Sequence, residues 1–153
     1  MANELKYTYA GSVALEASGA SAAASAFVQA DDAALSSTNH SNYPLADFVL
    51  KTIGFAAAIA STGGPSVALY RRDINVGGDA NNDAPTPSSL ARSLFVGSFI
   101  IPRSLASTGT NYFVVTDVPL SSECEFYIEN LAGQNLNAGW ALTVVPKSLV
   151  PGS

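Results

Sequence analysis

The sequence predicts an all-β protein, an antiparallel β-sandwich that is jelly-roll-like and carries an extended N-terminal arm. Short apolar and β-branched runs recur about every ten residues and are separated by turn residues, which is typical of sandwiches and jelly rolls. Charged residues make up only 12% of the chain, whereas long helices and coiled coils are rich in Glu, Lys and Arg. Both observations favour short strands over helices.

The clearest strand is predicted at residues 123–130. Cys124, Phe126 and Ile128 alternate there with more polar residues, so these three side chains are predicted to point inward. The glutamates of the same segment are predicted to lie on an outer, solvated face. Five further strands are predicted at residues 46–55, 67–73, 94–101, 111–117 and 140–145, the last ending at Pro146. A surface loop rich in Asn, Asp, Pro and Ser is predicted at residues 79–89.

The N-terminal part of the chain has a different composition. Residues 18–34 are nearly all Ala and Ser. Alanine favours a helix, but small side chains also allow an extended segment to lie flat against a neighbour, and we favour the extended form. We therefore expect an Ala/Ser-rich N-terminal arm at residues 1–40 and a β-sandwich domain at residues 41–153.

The charges exclude some classes of partner. The net charge is −5, and the one pair of adjacent cations, Arg71 and Arg72, is followed at once by Asp73. Nucleic acid is therefore not an expected partner, because its binding needs clustered cations. The low share of charged residues predicts instead that part of the surface is covered by a protein partner.

The sequence also predicts the cellular compartment in which the protein is made. Residues 1–9 lack the plan of a secretion signal, and the most apolar stretch, residues 54–60, is far shorter than the ~20 residues that span a bilayer. The single cysteine, Cys124, cannot form an internal disulfide and is interpreted as a small buried hydrophobe. We expect synthesis in a reducing cytoplasm and no membrane partner.

No arrangement of residues predicts catalysis. His40, the only histidine, lies in a turn cluster, and the chain has no Gly-x-Ser-x-Gly motif that would present a nucleophile. We therefore expect that the protein is not an enzyme, with no catalytic residues and no cofactor.

One loop could hold a metal ion. Asp73, Asn75, Asp79 and Asp83 supply the oxygen ligands that Ca²⁺ prefers. The spacing is not that of an EF-hand, because Gly77 occupies the third ligand position and no Glu follows at the twelfth. Our leading expectation is that there is no metal site, with a Ca²⁺-dependent module as an alternative.

Several segments carry a resemblance to a known family. They occur in the expected order at residues 43–50, 67–72, 81–85, 96–99, 117–120, 124–130 and 139–147. The strongest are Asp-Val-Pro-Leu at 117–120 and Cys-Glu-Phe-Tyr-Ile-Glu-Asn at 124–130. In these segments the chain resembles a family of small structural proteins from the virions of tailed bacteriophages.

The resemblance implies a non-enzymatic capsid decoration, or cement, protein. Such a protein is made in the host bacterial cytoplasm, binds the outside of the major capsid protein shell, commonly as a homotrimer, and stabilises the head. From exposure and chemistry we expect Tyr7, Tyr9, Arg71 and Arg72 to contact the partner. The alternative is a tail- or fibre-associated module that binds a host glycan through exposed Tyr or Trp side chains.

Overall fold

The computed structural model describes residues 5–35, 42–60, 64–89, 91, 94–120 and 123–151. These residues form nine β-strands and two single-turn 3-10 helices, Val76–Gly78 and Ala80–Asn82. The strands are β1 (Leu5–Tyr9), β2 (Val13–Gly19), β3 (Phe27–Leu35), β4 (Leu45–Gly54), β5 (Ser66–Asp73), β6 (Phe95–Ile100), β7 (Thr108–Pro119), β8 (Cys124–Asn130) and β9 (Trp140–Pro151). Within this part of the chain, no helix is long and apolar enough to cross a membrane.

The strands form two antiparallel sheets. The first has the order β1-β9-β4-β7, with β2 also paired to β9, and the second has the order β3-β8-β5-β6. Four strand pairs therefore alternate between the two sheets: β2–β9, β3–β8, β4–β7 and β5–β6. This alternation arises when one long hairpin folds over on itself. This is the arrangement of a jelly roll, so the predicted fold class is confirmed.

The core lies between the two sheets. The rings of Phe48 on β4 and Phe126 on β8 meet across it with their centroids 4.6 Å apart. Cys124, Phe126 and Ile128 all point into this core, as predicted. Trp140 is also fully buried, and its indole N–H donates a 2.7 Å hydrogen bond to the carbonyl oxygen of Ala20.

The outer face of the second sheet is covered as well. Ala68, Tyr70 and Tyr127 form a second buried cluster there, with Phe27 packed against it. The prediction of a solvated face is wrong for Glu129, which is fully buried and accepts a 2.6 Å hydrogen bond from the Tyr70 hydroxyl. Strand alternation predicts which way a side chain points, but it does not predict whether side chains of neighbouring strands bury that face.

The Ala/Ser-rich N-terminal part is extended, as favoured, and contains no helix between residues 5 and 35. It also supplies an edge strand to each sheet, because β2 pairs with β9 and β3 pairs with β8. Strands on both sides of residue 40 thus build the sandwich, whereas the prediction from sequence is an arm at residues 1–40 beside a domain formed by residues 41–153. Residues 36–41, at that expected boundary, lie outside the described part.

The last strand is longer than predicted. The sequence predicts that it ends at Pro146, but β9 continues to Pro151. Proline lacks an N–H group and is tolerated where the ladder needs no donor at that position. Here Pro146 faces the break between β1 and β2, where its carbonyl oxygen accepts a 2.8 Å hydrogen bond from the Ala10 N–H.

Candidate interaction face

The exposed apolar side chains are concentrated on one side of the molecule. Eleven large hydrophobic side chains are exposed among the described residues. Seven of them lie on the outer face of the first sheet, which we call the apolar face: Leu5, Tyr7, Tyr9, Ile53, Tyr112, Val114 and Leu149. A concentration of this kind on an otherwise ordinary surface marks an interaction site.

A charged cluster lies on the same face. The Lys147 side chain is only 3% exposed, and its Nζ atom lies 2.5 Å from Asp47 Oδ1 and 2.8 Å from Asp117 Oδ1. The Tyr7 ring covers this ammonium group, with its centroid 4.3 Å from Nζ, and the Tyr7 hydroxyl donates a 2.9 Å hydrogen bond to Asp117. These four residues, the Lys147 cluster, come from β9, β4, β7 and β1, so the cluster ties together four strands of the first sheet.

A β-bulge aims Asp117 at the lysine. Ala46 pairs with Val118 and Phe48 with Val115, so two residues of β7 lie opposite Asp47. Asp117 takes a left-handed conformation with φ of 60°, which is uncommon for a residue other than glycine. Its backbone N–H donates a 3.1 Å hydrogen bond to Asp47. Bulges commonly redirect a side chain in this way.

Two groups of the cluster, Asp117 and Lys147, are stabilised in their charged forms. Hydrogen bonds from Lys147 and then Tyr7 hold the pKa of Asp117 below its ordinary value. Burial by itself lowers the pKa of Lys147, but hydrogen bonds to Asp117 and Asp47 outweigh burial and raise it above its ordinary value. The hydrogen bond to Asp117 raises the pKa of Tyr7. An amine held in its charged form is a poor nucleophile or base, so the cluster fits a structural role.

The predicted contact residues fall into two groups. Tyr7 and Tyr9 both lie on β1 within the apolar face, and their ring centroids are 6.2 Å apart. Arg71 and Arg72 lie on β5 in the other sheet. The structure therefore brings the two tyrosines together but not the tyrosines with the arginines.

Both arginines have partners within the chain. Arg71 pairs with Asp73 at 2.9 Å and donates a hydrogen bond to the carbonyl oxygen of Pro119 in the first sheet. Arg72 pairs with Glu125 at 2.9 Å and with Asp83 at 3.2 Å. The Glu125 hydrogen bond raises the pKa of Arg72. These interactions account for the position of both side chains, and their contact with a partner stays a prediction.

Most of the apolar face was not predicted from the sequence. Tyr112 and Val114 lie in the run Tyr-Phe-Val-Val at residues 112–115, where both sets of alternating side chains are apolar. Such a run signals that both faces of a strand are covered. In the structure Phe113 and Val115 pack against the core, while Tyr112 and Val114 are exposed. The run of apolar side chains on both faces of one strand was therefore the signal in the sequence for an apolar surface.

The proposed calcium ligands do not converge on one point. Asp79 accepts hydrogen bonds from Asn81, while Asp83 accepts one from the Asn75 N–H and pairs with Arg72. His40 lies outside the described residues.

A different group of carboxylates lies close together. Among the residues that the structure describes, Glu16, Asp31 and Asp32 are the one group of three whose oxygens lie within 4.8 Å of one another. Burial raises the pKa of Glu16, and Asp32 accepts a 2.6 Å hydrogen bond from the Ala17 N–H. Backbone donors thus hold this acidic cluster, which lies where the edge strands β2 and β3 approach each other.

The described residues therefore offer one apolar face on the first sheet, with the buried Lys147 near its β1 end. No protein-family model matches the chain, and no curated protein matches it.

Proposed function

We propose that this protein is a non-enzymatic virion component, a capsid decoration protein that binds the outside of the major capsid protein shell as a homotrimer and stabilises the head. The observation that carries the proposal is the apolar face. Its seven exposed side chains include Leu5 at 67% and Tyr112 at 64% exposure. A surface of this kind favours binding to another protein over remaining in water.

Covering the apolar face would supply the stabilisation that a cement protein needs. Each Å² of apolar surface removed from water contributes about 25 cal/mol. A modest interface, repeated over many copies, lowers the free energy of the closed shell without any chemistry. The charge content of 12% and the resemblance to virion proteins at residues 43–147 support the same proposal.

The strand pairing beneath the apolar face also supports a binding role. The Lys147 cluster links β1, β4, β7 and β9 across the outer surface of the first sheet, while Ile53, Tyr112 and Val114 stand on the paired strands β4 and β7. A preorganised surface loses less conformational entropy when it binds. Tyr and Leu side chains in such a setting are suited to packing against another protein.

Glycan binding by a tail-associated module has weaker support. Trp140 is fully buried and offers no ring to a sugar. Tyr7 and Tyr9 remain exposed, but their ring planes are tilted by 44° and do not form one flat platform. The following experiment therefore distinguishes capsid decoration from a glycan-binding module of the tail.

The first experiment is mass spectrometry on purified particles, with heads and tails separated. A simple ratio of this chain to the major capsid protein in the head fraction would support decoration. A few copies confined to the tail fraction would overturn it and favour the glycan-binding module.

A second experiment tests the face itself. Particles that lack this protein are incubated with purified variants, and the bound protein is measured after sedimentation. Val114→Glu, on the apolar face, is expected to lose binding, whereas Val76→Glu, at a similarly exposed valine outside that face, is expected to bind normally. Equal binding by both variants would contradict a role for the apolar face.

A further inference from the structure

The first strand is attached to the rest of the molecule at one edge. β1 pairs with residues 147–151 of β9, from Leu5 opposite Pro151 to Tyr9 opposite Lys147. β4 pairs with β9 only as far as Lys147. Residues 5–8 and 148–151 therefore extend beyond β4 as a two-stranded ribbon, which we call the terminal ribbon.

The side chains of the terminal ribbon are largely exposed. Two strands alone are at best marginally stable in water and usually require a third strand or a packed layer. All five residues of β1 are exposed, and Leu149 on the opposite strand is 49% exposed. The side-chain contacts that tie β1 to β7 and β9 are those of Tyr7 with Asp117 and Lys147.

The connection to β2 is suited to a hinge. Tyr9 pairs with Lys147 and Val13 pairs with Val144, so the chain runs nearly straight along β9 between them. Gly11 and Ser12 in this link are exposed, and no atom lies within 4 Å of the position of a side chain at Gly11. A straight link without packed side chains can change direction at little cost.

We propose that β1 is exchanged between copies of this chain: β1 of one copy pairs with residues 147–151 of a second copy. The acceptor is a segment of known register, because every copy carries the same residues 147–151 in the same conformation. Exchange retains each hydrogen bond of the β1–β9 pair, and it brings a second copy of the chain against the terminal ribbon. Exchange of an identical element in this way is a low-cost route to an oligomer.

The exchange deepens the proposed function, since it rests on the proposed homotrimer and supplies its contact. Each copy donates one β1 and accepts one, so a head-to-tail arrangement can close into a ring. The Lys147 cluster then becomes a contact between copies, with Tyr7 of one chain over Lys147 of the next. The apolar face would continue from one copy to its neighbour.

The test uses disulfides between two chains. Thr8 and Ser148 are register partners, and opposite residues in antiparallel strands have Cα atoms about 4.5–5.5 Å apart, a spacing that a disulfide can bridge. A tagged full-length chain with Thr8→Cys is co-expressed with an untagged chain carrying Ser148→Cys. The purified protein is mildly oxidised and run on a non-reducing gel. Cys124 is fully buried and stays in place.

Exchange predicts a disulfide that joins tagged to untagged chains, and a covalent ring of three chains from the double variant Thr8→Cys/Ser148→Cys. The proposal is overturned if the double variant forms its disulfide only within one chain, or if the purified protein is monomeric. The control is Val49→Cys/Thr143→Cys, a β4–β9 register pair that should cross-link within one chain in either case.

The two proposals fail separately. A disulfide confined to single chains, in a protein that still occurs in the head fraction, overturns the exchange and leaves decoration standing. A disulfide between chains, in a protein found only with tails, supports the exchange and overturns decoration.

Discussion

The hydroxyl of Tyr7 donates a 2.9 Å hydrogen bond to Asp117, which lies 110 residues further along the chain. The same carboxylate oxygen lies 2.8 Å from Nζ of Lys147. This carboxylate links side chains of β1, β7 and β9 on the outer surface of the sheet, in addition to the backbone pairing of β1 with β9. The terminal ribbon and the apolar face share this polar contact, and the first predictions test it.

The Tyr7 hydroxyl should hold β1 in place. Tyr7→Phe keeps the ring over Lys147 and removes the hydrogen bond to Asp117. We expect amide hydrogen exchange of residues 5–9 to become roughly twofold to tenfold faster, as for the loss of one hydrogen bond, while exchange of β5 and β8 stays unchanged. Tyr112→Phe, at another exposed tyrosine of the apolar face, is the control. An equal change in both variants would show that the Tyr7 hydroxyl is not an anchor.

The Lys147 cluster should make stability depend on pH at both extremes. The pKa of Asp117 lies below its ordinary value of 3.8, so its contribution is present above that pH and is lost as the pH falls through the lowered pKa. The pKa of Lys147 lies above its ordinary value of 10.5, so its contribution is complete below that pH and is lost as the pH rises through the raised pKa. The contribution of the cluster to stability should therefore be level between these limits.

Asp117→Asn tests the acid side. Urea unfolding at fixed protein concentration, repeated from pH 7 down to pH 2.5, should show a shallower acid decline for the variant than for the wild type. Asp79→Asn should make the decline shallower as well, because hydrogen bonds with Asn81 lower the pKa of Asp79. Asp79 lies away from the cluster, so the effects of the two substitutions should add in the double variant. An unchanged acid decline in Asp117→Asn would contradict the assignment.

Removing the buried cation should be costly. Lys147→Met leaves Asp47 and Asp117 close together without a counter-charge, and we expect a loss of about 1–3 kcal/mol in the free energy of unfolding at pH 7. The deficit should shrink as the pH falls toward 4, because protonation relieves the repulsion. Lys51→Met, at a more exposed lysine on β4, should change stability by less than about 0.5 kcal/mol. A Lys147 deficit that is independent of pH would argue against an electrostatic cause.

Arg72 should stabilise the loop between β5 and β6. Its guanidinium donates to Glu125 and to the carbonyl oxygen of Ala84. Arg72→Ala should lower the free energy of unfolding by about 1–2 kcal/mol and speed up hydrogen exchange at residues 74–89. Arg103→Ala, at an exposed turn, is the control. Loss of particle binding without any loss of stability would instead support the predicted partner contact of Arg72.

The two sheets meet closely at Gly97 and Val115. A Cβ atom at Gly97 would lie 2.5 Å from Cγ1 of Val115, so Gly97→Ala should cost about 1–3 kcal/mol through overpacking. Val115→Ala in the same chain should recover much of that loss. A double-mutant cycle measured by urea unfolding checks this coupling. Strictly additive effects would show that the sheets are not in tight contact here.

The positions along the chain of the strands from β4 onward were predictable from local pattern. The segment predicted at residues 67–73 is Ser66–Asp73 in the structure, and the inward direction of Cys124, Phe126 and Ile128 was correct. These features depend on alternation and turn residues, which act within about ten residues of the chain. The burial of Glu129 depends on large side chains of neighbouring strands, such as Tyr70 and Phe27, which local pattern does not report.

The candidate site was only partly predictable for the same reason. Tyr7 and Tyr9 were expected as contact residues, but Lys147 was not singled out, since it lies just beyond Pro146, where the last predicted strand ended. Its environment arises only when β1, β4 and β7 bring Tyr7, Asp47 and Asp117 around it. Those three residues come from distant parts of the sequence.

The sequence by itself determined that this chain forms short antiparallel strands and that its charge content is low, because both follow from composition and alternation. Only the tertiary structure decided that the Ala/Ser-rich N-terminal residues become edge strands and that one face of the first sheet stays apolar and exposed. Strand pairing joins residues as distant as Leu5 and Pro151. It is selected by the packing of the whole core, so local sequence does not report it.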